Sequence, residues 1–167
     1  MFLLPSRQLS EVYTVSDLSR TECRTVDNTP DEYLLNNLIT LAQNLEKLQL
    51  LIGLPIHITS AFRCKELNLI VGGSVHSDHC LGLAADFTVH NLSLFSLFNF
   101  LYKNRLRIGY RQLIWEYGRW VHISWYVEGS GQTPKHLETL VINKKEEGYL
   151  AYKEGMDLNG RQTSTTV

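Results

Sequence analysis

A carboxylate set inside an otherwise apolar strand constrains this chain more than any other feature. Leu83-Ala-Ala-Asp-Phe-Thr-Val89 alternates with a period of two, as a half-buried strand does. Leu83, Ala85, Phe87 and Val89 point to one face, and Ala84, Asp86 and Thr88 to the other. A carboxylate in such a strand is costly unless a cation compensates it. Gly82 permits a turn into the strand, and His79 enters from the loop just before it. A second alternating segment, Trp120-Val-His-Ile-Ser-Trp125, sets His122 on the face of Trp120 and Ser124, opposite Val121 and Ile123. Two imidazoles and one carboxylate are the ligand set of a zinc ion that keeps one position open for water, and small Ala84 beside Asp86 leaves room for a ligand.

Each of these residues has a plainer reading. By pattern alone His122 is better read as a hydrogen-bonded structural histidine, and His79 is evenly balanced. His76 competes as a ligand, because His76 and His79 would share one helical turn; Gly72-Gly73 and the loop-like composition argue against a helix there. His57, His90 and His136 read as ordinary strand or surface residues. Asp78 competes with Asp86, but its place in a loop suggests a solvated or turn-forming carboxylate. Arg63 by itself is a solvated charge after a strand, and Ser77 a turn residue.

The order of motifs decides between these readings. Ile58-Thr-Ser-Ala-Phe-Arg63 is followed by Glu66-Leu-Asn68 and Val71-Gly-Gly73. Then come Ser77-x-His79-x-x-Gly82-x-Ala84-x-Asp86 and Trp120-Val-His122-Ile-Ser124. This succession closely resembles the zinc D-alanyl-D-alanine carboxypeptidase family, whose relatives include L-alanyl-D-glutamate endopeptidases and phage lysins. The resemblance runs from about Val15 to about Tyr126. It implies one zinc ion on His79, Asp86 and His122, and a peptide bond of the peptidoglycan stem peptide as substrate. It also implies Arg63 beside the metal, polarising the scissile carbonyl or holding a substrate carboxylate, and Ser77 hydrogen-bonding substrate. The expected fold is α+β: a small, mostly antiparallel sheet carrying the three ligands on one face, with helices on the other.

One position departs from the pattern. Many members of the resembled family have an acid three residues before the second histidine, where this chain has Arg119. Glu116 is the nearest carboxylate and the candidate general base. A five-residue loop between the strands would pair Glu116 directly with His122, whereas a two-residue turn at Gly118-Arg119 would pair it with Val121 and send it away. The missing acid keeps open a second class of function, a non-catalytic zinc-containing module that binds cell wall.

Elsewhere, Thr29, Pro30 and Glu32 read as cap, first residue and capping box of a helix. Its apolar positions run from Leu34 to Ile52 and it ends near Gly53. Ser16-Asp-Leu-Ser opens a short helix, Lys65–Ile70 is another, and Ser93 caps an apolar helix through Tyr102. Arg111–Glu116 and Trp120–Trp125 form a hairpin, and a further strand fits 137–142. The 167 residues suit a single domain with a motif-bearing core over about 15–126 and a peripheral tail from about 143. A net charge of −1 offers no electrostatic attraction to nucleic acid, and no stretch approaches the ~20 apolar residues of a membrane span. Three cysteines, an odd number without a Cys-x-x-Cys pair, read as reduced thiols. Cys80 adjoins His79, but a fourth protein ligand would close the position that a catalytic zinc keeps open. The apolar run Phe2-Leu-Leu4 stops at Pro5, too short for a signal peptide. The expectation is a monomer made in the cytoplasm and delivered to the wall by another route.

Overall fold

In the computed structural model, which describes residues 1–132, 135–143 and 150–152, a six-stranded sheet packs the two long helices on one face. Two helices begin the chain: α1 (Val15–Ser19) and α2 (Leu35–Ile52), the latter preceded by a 3-10 turn over Glu32–Leu34. Strand β1 (Ile56–Ser60), helix α3 (Lys65–Ile70) and a second 3-10 turn (Asp78–Leu81) lead to β2 (Ala84–Val89). Helices α4 (Leu94–Lys103) and α5 (Arg105–Ile108) precede the hairpin of β3 (Gln112–Glu116) and β4 (Trp120–Ser124). The last strands are β5 (Glu138–Ile142) and β6 (Leu150–Ala151). The sheet order is β1-β2-β4-β3-β5-β6, antiparallel throughout except where β5 runs parallel to β3. The α+β expectation holds.

The alternation read from the sequence sorts the sheet's faces. Ala85, Phe87, Leu113, Trp115, Val121, Ile123 and Val141 lie in one core with Leu38, Leu41, Leu45 and Leu48 of α2 and Leu97, Phe98 and Leu101 of α4. Burying each such side chain contributes about 1.5–3 kcal/mol. Ala84, Asp86, Gln112, Ile114, Glu116, Trp120, His122, Glu138 and Leu140 fall on the opposite face, since each strand's period is two.

Helix starts were less accurately legible. The capping box of α1 is made by Thr14 and Asp17, not opened by Ser16. Thr29 does not cap α2: its hydroxyl donates to Asp27, and Glu32 pairs with Arg7 at 2.6 Å. The chain then tightens through Glu32–Leu34 before the α-helix begins. The helix ends as expected at Gly53, whose φ of 74° is the left-handed conformation that glycine adopts without strain.

The connection between β3 and β4 departs from both turns considered. It has three residues, Tyr117–Arg119, and pairs Glu116 with Trp120 and Ile114 with His122. Tyr117 and Gly118 both take positive φ, 54° and 65°, and Arg119 N–H donates to the Glu116 carbonyl at 2.9 Å. Glu116 is therefore diagonal to His122, not opposite it, and the two share a face.

Beyond β5, Leu150–Ala151 pair with that strand, and the Tyr152 ring packs edge-on against Phe98 and Tyr102. The rest of the polar tail expected from about 143 lies outside the described residues, apart from Asn143.

Candidate metal centre

The three expected ligands meet. Asp86 and His122 are direct cross-strand partners on β2 and β4. His79 arrives from the 3-10 turn, capped by Ser77, whose Oγ accepts from His79 N–H at 3.3 Å. Gly82 closes that turn with a φ of 67°, while Leu38 sits 3.0 Å from where a Cβ would be. A larger residue would thus meet both strain and a clash at the step between His79 and β2. All three ligands are buried, and one donor atom from each lies within 4.8 Å of the others.

Hydrogen bonding orients the donors inward. His79 Nδ1 lies 2.6 Å from the Ala61 carbonyl, which can only accept, so the ring proton sits on Nδ1. The Nε2 lone pair of the neutral ring then faces Asp86 Oδ1 and His122 Nδ1, each at 3.1 Å. His122 Nδ1 is 2.9 Å from the same carboxylate oxygen. Burial lowers the His79 pKa more than Asp86 raises it. For Asp86, burial would raise the carboxyl, but the two imidazoles outweigh it and hold the group far below the usual carboxylate range. Burial would lower the His122 pKa, but the hydrogen bond and charge of Asp86 raise it. An ionised carboxylate and two imidazole nitrogens that meet within 4.8 Å are a donor set that a small divalent cation fits, displacing the His122 proton as it binds.

Neighbouring residues support this cluster. Arg63 donates through Nη2 to Asp86 Oδ2 at 2.6 Å and through Nε to Ser60 Oγ at 2.9 Å. Its guanidinium thus fixes the Asp86 oxygen that does not face the histidines. Asn28 explains why Arg63 sits there. Its amide donates to the carbonyls of Ser19 and Phe62 and its oxygen accepts from Cys64 N–H, clamping the chain on both sides of Arg63. Nothing in the sequence singled out Asn28, which lies among residues that read as a helix start.

An open cleft of about 1120 Å³ lies over the group. Arg63, Ser77 and Glu116 line it together with the three ligands, so every residue singled out for chemistry reaches one space. Glu116 Oε2 accepts from Trp120 Nε1 at 3.0 Å, and burial, with the nearby Asp86 charge, raises its carboxyl pKa. Arg119 is exposed on the turn. His76 lines the rim but does not join the ligand group, and Cys80 stays outside it too. Burial raises the Cys80 thiol above its ordinary value, and Cys23, Cys64 and Cys80 are all free thiols.

Asp78 lies in a turn, one of the two readings offered for it, but it is not solvated. It is 5% exposed and pairs with Arg111 at 2.6 Å, itself 8% exposed. The pair ties the turn that carries His79 to the start of β3. Asn68 was likewise legible only as part of a motif. Its side-chain amide donates to Ser74 O at 2.9 Å, and a Cβ on Gly73 would fall 2.1 Å from its Oδ1. Glycine there lets the loop bearing His76 and Ser77 close down on α3.

A His-Asp-His group able to hold a metal, on the floor of an open cleft with an acid and a guanidinium beside it, has the layout of a metallo-hydrolase. The chain belongs to the peptidase M15 family, a family of metallo-enzymes, whose model matches residues 12–124. No curated protein matches it in sequence.

Proposed function

We propose that this peptidase is zinc-dependent and hydrolyses a peptide bond in the stem peptide of peptidoglycan, as a D-alanyl-D-alanine carboxypeptidase or an L-alanyl-D-glutamate endopeptidase. The observation that carries the reading is the position of Glu116, on the same sheet face and in the same cleft as His79, Asp86 and His122. Zinc on those three residues would supply Lewis-acid polarisation of the scissile carbonyl and lower the pKa of a water to roughly 7.

The chain's own groups carry the remaining work. Glu116 takes a proton from the attacking water and returns it to the leaving amine. Its diagonal relation to His122 corresponds to ~7–8 Å across the strands, which leaves space for a water between them. Arg63 holds Asp86 in place and presents positive charge to the oxyanion that develops on the carbonyl oxygen. Ser77 offers its hydroxyl to the substrate backbone. The protein acts as a monomer on the wall, reached by lysis or by delivery through another component.

The non-catalytic wall-binding alternative drew its support from Arg119 standing where an acid is usual. A half-buried carboxylate in the cleft, supplied from β3, favours catalysis instead. Digestion of purified sacculi by the zinc-loaded protein, with and without chelator, tests the reading. Mass spectrometry should show muropeptides shortened at one bond only in the chelator-free sample. Intact muropeptides from a zinc-loaded sample that still pellets with sacculi would favour the binding module.

A further inference from the structure

We propose that β5 forms a specificity subsite for a substrate side chain that is aliphatic along its length and ends in an ammonium group, with Glu138 as the residue that reads the charge. The inference rests on the peptidase reading above. It begins from a mismatch of extents: the family match ends at residue 124, yet β5, at 138–142, contributes to the same cleft.

Register shows how. Parallel pairing sets Leu140 beside Ile114, Glu138 beside Gln112 and Ile142 beside Glu116. Ile114 in turn is the direct partner of His122. The cleft floor therefore runs from His122 over Ile114 to Leu140, two strand spacings, or ~10 Å. Glu138 stands two residues, ~7 Å, along β5 from Leu140, so one extended residue of ~3.3 Å and a four-carbon stem cover the crossing and the Glu138 side chain makes up the diagonal. Ile114, Leu140 and Ile142 make the floor apolar, which suits the methylenes of such a stem.

At its far edge the floor ends in a carboxylate already aimed. Arg111 Nη1 donates both to Asp78 at 2.6 Å and to the Gln112 side-chain oxygen at 3.0 Å. The Gln112 amide then donates to Glu138 Oε2. A continuous set of hydrogen bonds thus links the turn bearing His79 to Glu138 and fixes that carboxylate in the cleft wall. Lys135 also binds Glu138, at 2.9 Å, but this pair is 39% and 30% exposed. A surface pair of that kind contributes little, so a substrate ammonium can take the place of Lys135 at small cost.

The test uses stem pentapeptides with lysine, Nε-acetyl-lysine or norleucine at the third position, which lies one residue from either candidate bond. For the zinc-loaded full chain, kcat/KM should be roughly tenfold higher for lysine than for either neutral side chain, mostly through KM, as for one partly exposed charge-assisted hydrogen bond. Glu138→Gln should bring the ratio to about one. Affinity for the same three peptides, followed by calorimetry, separates this inference from the reading beneath it. Equal cleavage and equal affinity for all three overturn the subsite and leave the peptidase standing. Preferential binding of the lysine peptide without cleavage supports the subsite and overturns the peptidase. A preference that survives Glu138→Gln overturns the role of Glu138, and failure to bind or cleave any of the three overturns both.

Discussion

Asp86 and His122 stand directly opposite each other across β2 and β4, with His122 Nδ1 2.9 Å from Asp86 Oδ1. Strand pairing alone thus brings two of the three candidate ligands together, 36 residues apart in sequence. A one-residue slip of either strand would turn one of them into the core. Phe87, Val121 and Ile123 hold the register by burying the alternate face. The apolar core therefore fixes the geometry of the candidate metal site from behind.

Metal content follows from that geometry. Elemental analysis should find about one zinc per chain in the wild-type protein. His79→Ala, Asp86→Ala and His122→Ala should each lose it, while His76→Ala and Cys80→Ser should retain it. Full zinc content in Asp86→Ala would refute the ligand set, and loss of zinc in Cys80→Ser would mean that the thiolate closes the site.

Much of this was legible because alternation is local. The faces of β2 and β4 were readable from their residues, and the motif order supplied the ligand identities. Interactions between distant segments were not. The Asp78–Arg111 pair spans 33 residues, and Asp78 alone looks like any loop aspartate. The Glu116 register depended on Tyr117 accepting a positive φ, which a non-glycine residue seldom does and which no local signal announced. The start of α2 misled for a related reason: Glu32 could close a capping box with Thr29, but Arg7 offers it an ion pair instead.

The approach of Gly73 to Asn68 can be tested as a pair. Gly73→Ala would put a methyl group 2.1 Å from Asn68 Oδ1 and lift the loop bearing Ser77. Urea denaturation should show a loss of about 1–3 kcal/mol, with reduced activity. In an Asn68→Ala background the added cost should shrink to a few tenths of a kcal/mol, because the clashing atom is gone. An undiminished cost would mean that backbone conformation, not the side-chain contact, requires glycine.

The buried Asp78–Arg111 pair should be costly to break and cheaper to remove. Asp78→Asn or Arg111→Met leaves one charge buried without its partner, so each should lose about 3–5 kcal/mol. Replacing both with apolar residues of similar size should cost less than the sum. The same variants should weaken zinc binding, because Asp78 precedes His79 in the turn. Single variants that lose less than about 1 kcal/mol would show that solvent reaches the pair.

Glu116 carries the most consequential prediction. Glu116→Gln keeps the size of the side chain and its acceptor for Trp120 Nε1, and Glu116 is outside the ligand group, so the variant should fold and bind zinc normally. Its activity should fall by ~10²–10⁴, the usual effect of removing a positioned proton acceptor. The pH profile gives a second readout with a definite sign. Glu116 must be ionised to accept a proton, so activity rises as pH climbs through its pKa. In the metal-free protein burial, and after it the Asp86 charge, raises that pKa; a bound cation would offset the Asp86 charge, leaving burial to set the acid limb of kcat/KM above the range of an exposed glutamate. The residual activity of Glu116→Gln should lack this limb. Activity within a few-fold of wild type, or an unaltered acid limb, would remove Glu116 as the base and move the search to another acid in the cleft. Asp78 comes next in sequence, but its bond to Arg111 already occupies it.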